Sequence, residues 1–303
     1  MTAGIADDEE FISILDGLTE RERQPNLVLA AVNHLGGIAQ DYGSFRSFFF
    51  EHMDDVLGLI RSRRTQTNEI GRCATLLPAL GLLPQPLALI EVGASAGLNL
   101  LLDRYAYDYG NGRMLGEGSP VVIPCELRND VPLPSVVPEV AWRRGIDLEP
   151  IDVNDRDAVA WLESCVFADH KDRLDRLQLA IELARADPPP LERGNLIDEI
   201  SRVVAEAPKD ATIVVFHSAV LSYLPREGRD RFAELMYALP VVWLSNEGPS
   251  VVGGVRSALD RPLPQEICFL LGRNGTEALA FTHHHGRWIE WLAPIERVAS
   301  GNL

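Results

Sequence analysis

What the sequence has little of sets its first limits. Only four cysteines occur in 303 residues, Cys73, Cys125, Cys165 and Cys268, and no two stand in a C-x-x-C spacing. Neither a zinc site nor a disulfide framework is expected, and buried thiols in a reducing compartment are the plain reading. Basic residues are scarce: 28 Lys and Arg stand against 44 Asp and Glu, a net charge of −16. A surface so acidic repels phosphate backbones and anionic lipid, so neither nucleic acid nor a membrane surface is an expected partner. Long apolar runs are missing as well. The most apolar stretch, residues 76–102, is interrupted by Pro78, Pro84, Pro86 and Glu91, which argues against a spanning helix. After Met1, TAGIADDEE has neither a basic start nor an apolar run, so no signal peptide is expected and the protein reads as cytoplasmic.

What is present suffices for a full core, since 46% of the residues are hydrophobic. Residues 1–85 read as a helical cap. Phe45, Phe48, Phe49, Met53, Val56, Leu57 and Ile60 recur at three- and four-residue steps and paint one apolar stripe. From residue 86 to 303 short apolar runs alternate with helical patterns, which argues a mostly parallel sheet covered on both faces. The strands expected are residues 86–93, 140–148, 191–193, 212–217 and 241–245. An antiparallel hairpin turning at Asn274-Gly275 is expected at the sheet edge. An insertion at about 105–138 suggests a second hairpin, from YAYDYGNG and VVIPCEL.

The sharpest local feature is the run from Glu91 to Asn99, EVGASAGLN, at the end of the first strand. Gly93-x-Ser95-x-Gly97 satisfies the nucleophile elbow of serine hydrolases, with His217 following in suitable chain order. Against it, about 85 mostly helical residues precede the turn and no oxyanion-type glycine loop stands upstream. A dinucleotide fingerprint would need a glycine where Leu98 stands. The third pattern is an acid followed by three alternating small residues, with a serine in the middle position. It resembles the cofactor turn of class I S-adenosylmethionine-dependent methyltransferases.

Almost the whole chain also resembles a bacterial domain-of-unknown-function family, number 2332. The stretches that carry this are RRTQTNEIGR (63–72), EVGASAGLNLLLDRYAYDYG (91–110), WRRGIDLEPIDV (142–153), VVFHSAVLSYLP (214–225) and WLSNEGP (243–249). The two resemblances imply a Rossmann-like sheet under an N-terminal helical cap, S-adenosylmethionine as cofactor, and a small-molecule or protein methyl acceptor. A non-catalytic cofactor-binding or interaction protein of the same fold is the alternative.

Ligands of open α/β sheets sit at the carboxyl ends of the strands. There, small residues at Gly93, Ser95 and Gly97 let backbone approach a ligand, Glu91 offers a carboxylate to an ammonium group, and Asn99 follows in the same run. Asp147 ends the second strand and reads as the acid for ribose hydroxyls, whereas Asp108 reads as a turn residue. The segment after the third strand resembles the one that meets adenine in those methyltransferases, which implies Asn195 as the contact, and Arg72 can pair with a cofactor carboxylate. His217 and Tyr223 are the candidate acid–base residues. His283, His284 and His285 invite a metal, but a turn before Gly286 is the simpler reading, so no metal is expected. Asp147, Glu149, Asp152, Asp155 and Asp157 against Arg156 suggest an acidic rim at the ribose site.

Overall fold

The computed structural model describes residues 7–37, 41–166 and 171–294. They pack as two compact units, one within Met1–Thr67 and Asp152–Gln178, the other within Asn68–Ile151 and Leu179–Leu303.

Helices α1 (Glu9–Asp16), α2 (Pro25–His34), α3 (Tyr42–Glu51) and α4 (Met53–Ser62) begin the first unit. The expected apolar stripe is its core: Phe45, Phe49, Val56 and Ile60 are buried with Phe11, and the Phe11 ring meets Phe45 and Phe49 edge-on at 5.5 and 4.8 Å. Helix α5 (Cys73–Gly81) follows, buried on every side from Cys73 to Leu80, and lies in the second unit. Helix α6 (Arg156–Ser164) returns to the first, where Trp161 joins the core and its indole donates to Arg64 O at 2.9 Å. The Asp155 carboxylate caps α6 by accepting from the amides of Asp157 and Ala158.

The second unit is a nine-stranded sheet. In chain order its members are β1 (Leu87–Val92), then, past three short strands of the insertion, β2 (Ala106–Asp108), β3 (Met114–Leu115) and β4 (Val122–Pro124), the strands β5 (Glu126–Leu127), β6 (Val140–Asp147), β7 (Leu191–Arg193), β8 (Thr212–Ser218), β9 (Val242–Glu247), β10 (Cys268–Arg273), β11 (Glu277–His283) and β12 (Trp288–Trp291). The spatial order is β5-β12-β11-β10-β9-β8-β1-β6-β7. The five strands β7, β6, β1, β8 and β9 are parallel, and β10 to β12 add as an antiparallel meander. Counted along the chain, the parallel strands lie in the order 3-2-1-4-5, which is doubly wound. Its switch point is between β1 and β8. Helices α7 (Lys171–Ala186), α8 (Leu196–Glu206) and α9 (Arg226–Ala238) alternate with the strands. Ile200, Val203, Phe232 and Met236 of α8 and α9 pack on Ile90, Val92, Val215 and Trp243.

Two expectations are corrected. The β10–β11 hairpin, turning at Asn274 (φ 50°) and Gly275 (φ 67°), is not the edge, because β12 and then β5 lie outside it. The insertion is also more than a hairpin. Its glycine turn does fold β2 back onto β3, but β4, from VVIPCEL, pairs with β2 in parallel, and β5 leaves to join the main sheet.

Candidate functional site

The end of β1 is an abrupt change from apolar strand to tight turn. Gly93, Ser95 and Gly97 all have left-handed φ, at 70°, 53° and 70°. The amides of Gly93 and Ala94 donate to Ile146 O, and Gly97 N donates to Ala94 O. Asp147 ties this turn to the end of β6: its Oδ2 accepts from Ser95 N at 2.8 Å and its Oδ1 from Glu149 N at 2.8 Å. Ser95 O accepts from Ile151 N, and Asn68 Oδ1 accepts from Leu98 N at 3.0 Å. A carboxylate oxygen has two lone pairs, so Asp147 keeps one on each oxygen after these bonds.

Glu91 is buried, with 3% exposed. Its Oε1 accepts from Asn99 Nδ2 at 2.8 Å, and the Cys73 thiol, 3.3 Å from Asn99 Oδ1, fixes that amide's orientation. Its Oε2 is buried with no hydrogen-bond partner among the described residues. Burial pushes the Glu91 carboxyl from the ordinary carboxylate value up to about 8. The Asn99 bond opposes this, the Asp147 charge adds to it, and the Arg72 charge opposes it.

The turn glycines have a different reason from the one expected. A Cβ on Gly93 would fall 2.4 Å from Val220 Cγ2, and one on Gly97 would fall 2.7 Å from Pro189 Cγ. The protein itself fills those positions, so left-handed backbone and packing require the glycines and no ligand need be invoked for them.

His217 and Tyr223 do not form an acid–base pair. His217 is fully buried, whereas Tyr223 is 65% exposed. His217 Nδ1 lies 2.7 Å from Glu247 Oε1, and its Nε2 accepts from Trp243 Nε1 at 2.9 Å. The indole can only donate, so Nε2 carries no proton, Nδ1–H faces the carboxylate, and no lone pair is left for a substrate proton. That removes the base a serine hydrolase would need, and Ser95 Oγ itself is buried with no partner among the described residues. Glu247, at the end of β9, gathers three donors on one oxygen: His217, Val220 N at 2.8 Å and Leu221 N at 3.0 Å. Beside it a second buried chain crosses the sheet, Thr282 Oγ1 donating to Asn246 Oδ1 and Asn246 Nδ2 donating to Ser218 Oγ. The sequence signal for both chains was the same, polar residues ending otherwise apolar strands.

Arg72 is 6% exposed and spans the edge, Nε donating to His284 O at 2.8 Å and an Nη to Ser218 O at 3.0 Å. Its role is thus to fasten the turn after β11 to the end of β8. Asn195 is the exposed N-cap of α8, its Oδ1 accepting from Ile197 N, which leaves its NH2 group for other partners. Asp108 is the turn residue expected, accepting from Gly110 N. The His283 and His284 rings stack at 4.3 Å between centres, the His285 ring lies tilted 4.1 Å from His284, and His285 Nδ1 lies 3.2 Å from Glu69 Oε2. Burial first, and the flanking imidazoles next, bring His283 down to about 4. Among the described residues no group of three or more His, Cys, Asp and Glu is arranged to hold a metal ion.

A bacterial family described as "Uncharacterized protein conserved in bacteria (DUF2332)" matches residues 1–291, and the chain belongs to it. No curated protein matches the chain.

Proposed function

We propose, from the site of this family member, that the protein binds S-adenosylmethionine at the carboxyl ends of β1 and β6 and transfers its methyl group to a small-molecule or protein acceptor. The observation that carries the reading is Glu91. A buried carboxyl at a switch point, with one oxygen bonded and the other without a partner among the described residues, suits an ammonium group, which would fill the open acceptor and favour the ionised form. Asp147, held at the end of β6 with a lone pair on each oxygen, suits a pair of ribose hydroxyls. The Asn195 NH2 group suits a purine edge. Arg72 is spent on backbone carbonyls and is not assigned to the cofactor. When bound, the cofactor supplies a methyl group already activated on a sulfonium, so the protein's task is chiefly in-line positioning.

Titration calorimetry with S-adenosylmethionine and S-adenosylhomocysteine tests the binding half. Heat is expected with both, and Glu91→Gln is expected to weaken the first by about tenfold or more, the loss of a charge-assisted bond. No heat with either compound at millimolar concentration removes the reading.

The engagement of both His217 nitrogens favours a second reading, a protein that binds the cofactor without transferring its methyl group. Labelled methyl transfer across a broad acceptor panel separates the two.

A further inference from the structure

Ser95 is a costly residue for the place it holds. Its φ of 53° lies in the left-handed region, where a side chain is strained and glycine is not. Its two neighbours of the same hand, Gly93 and Gly97, are both glycine. The bonds that hold the turn use only its backbone: Ser95 N donates to Asp147, and Ser95 O accepts from Ile151 N. A glycine would make them all. What the serine adds is a hydroxyl that is buried, with the residue 3% exposed, and has no partner among the described residues. In the free protein such a group brings only backbone strain and an unmet polar atom. Four residues earlier stands another buried, unmet atom, Glu91 Oε2, on the same strand-end turn at the switch point.

We propose that Ser95 determines ligand specificity. Its hydroxyl is kept for a hydrogen bond to a polar atom of a nucleoside-type ligand whose cationic group meets Glu91. The proposal rests on the cofactor reading above and extends it to a side chain. The residue lowers the stability of the free protein and raises affinity for the ligand, the opposite of what a structural serine does.

Ser95→Ala removes the hydroxyl and keeps the Cβ; Ser95→Gly removes both. Asn111→Gly, at an exposed residue of φ 52° in the β2–β3 turn, relieves the same kind of backbone without approaching the site. In thermal unfolding of the free protein, Ser95→Ala is expected to melt no lower than wild type, and Ser95→Gly about 2–4 °C higher. With S-adenosylhomocysteine as the probe, both Ser95 variants should bind about tenfold more weakly, the loss of one hydrogen bond, and Asn111→Gly should bind as wild type does. A melting temperature lowered by more than about 2–4 °C in Ser95→Ala would reveal a structural partner and overturn the proposal. Unchanged affinity in both Ser95 variants, where wild type binds, also overturns it and leaves the cofactor reading standing. Wild-type protein that binds neither S-adenosylmethionine nor its homocysteine product removes the cofactor reading, and this one with it.

Discussion

Glu91 concentrates the electrostatics of the strand ends in one side chain. Its carboxyl, raised to about 8 in the fold, holds a proton there at pH values where the unfolded chain has released it. The resulting stability is complete below the ordinary carboxylate value and declines as the pH climbs from there through about 8. Glu91→Gln should abolish that decline, so denaturant unfolding curves for wild type and variant, compared at pH 5 and pH 9, should diverge at the alkaline end with the variant more stable. Binding of a cation has the opposite sense: affinity in the wild type should rise with pH through about 8, with a proton released, and calorimetry in buffers of different ionisation enthalpy reads that proton. His217 belongs to a different kind of chemistry. His217→Ala strands the Trp243 indole N–H and removes one of the three donors on Glu247, so a loss of about 3 kcal/mol in unfolding free energy is expected, chiefly as a folding defect. From the sequence, His217 reads as an acid–base candidate at a strand end, and its structural partners are hidden. Its partners are Trp243 and Glu247 on a neighbouring strand, and nothing local says that an indole blocks its Nε2. Asp147 was legible as a strand-end acid; that it staples the β1 turn was not, because Ser95 N comes to it from another strand's end.

At the scale of elements, the local rules read well where periodicity and turn chemistry act within one segment. The β1 strand, its glycine turn, and the β10–β11 hairpin at Asn274-Gly275 all come from a few adjacent residues. After the turn the chain forms a 3-10 segment, Leu98–Arg104, with a kink at Leu101. Leu100 N donates to Gly97 O, three residues back, and Leu101 leaves the helical region at φ −94° and ψ 19°, which ends the turn before an α-helical ladder is built. The insertion was misread because parallel pairing of β4 with β2 depends on a connection and not on a tight turn. Asn195 offers an element-scale test of two roles at once. Asn195→Ala should cost about 1 kcal/mol by uncapping α8, while Asn195→Asp, an equally good cap, should keep stability in chemical denaturation. If the NH2 group also meets a purine, both variants should bind S-adenosylmethionine more weakly, and the aspartate shows that loss free of any folding effect.

For the whole molecule, the acids behind the net charge of −16 are shared between the two units. Of the acids expected to rim the ribose site, Asp152, Asp155 and Asp157 lie in the first unit, where Asp155 caps α6 and Asp157 pairs with Arg63. Asp147 and Glu149 remain in the sheet unit. Among the described residues no helix is long and apolar enough to cross a membrane. The first unit is discontinuous in sequence, and that has a practical consequence: a chain lacking residues 1–67 should expose the face of α6 that carries Trp161. Limited proteolysis should then cut such a chain within α6, which packs on α2 in the full chain.

The same discontinuity sets a clock during synthesis. Helices α1 to α4 leave the ribosome early, but Trp161, which completes their core, is made only after the whole of 68–151. At about 5–20 residues per second, that interval is on the order of ten seconds. For that time the face of α2 that meets α6, where the His34 ring lies edge-on to Trp161, waits for a packing partner not yet made.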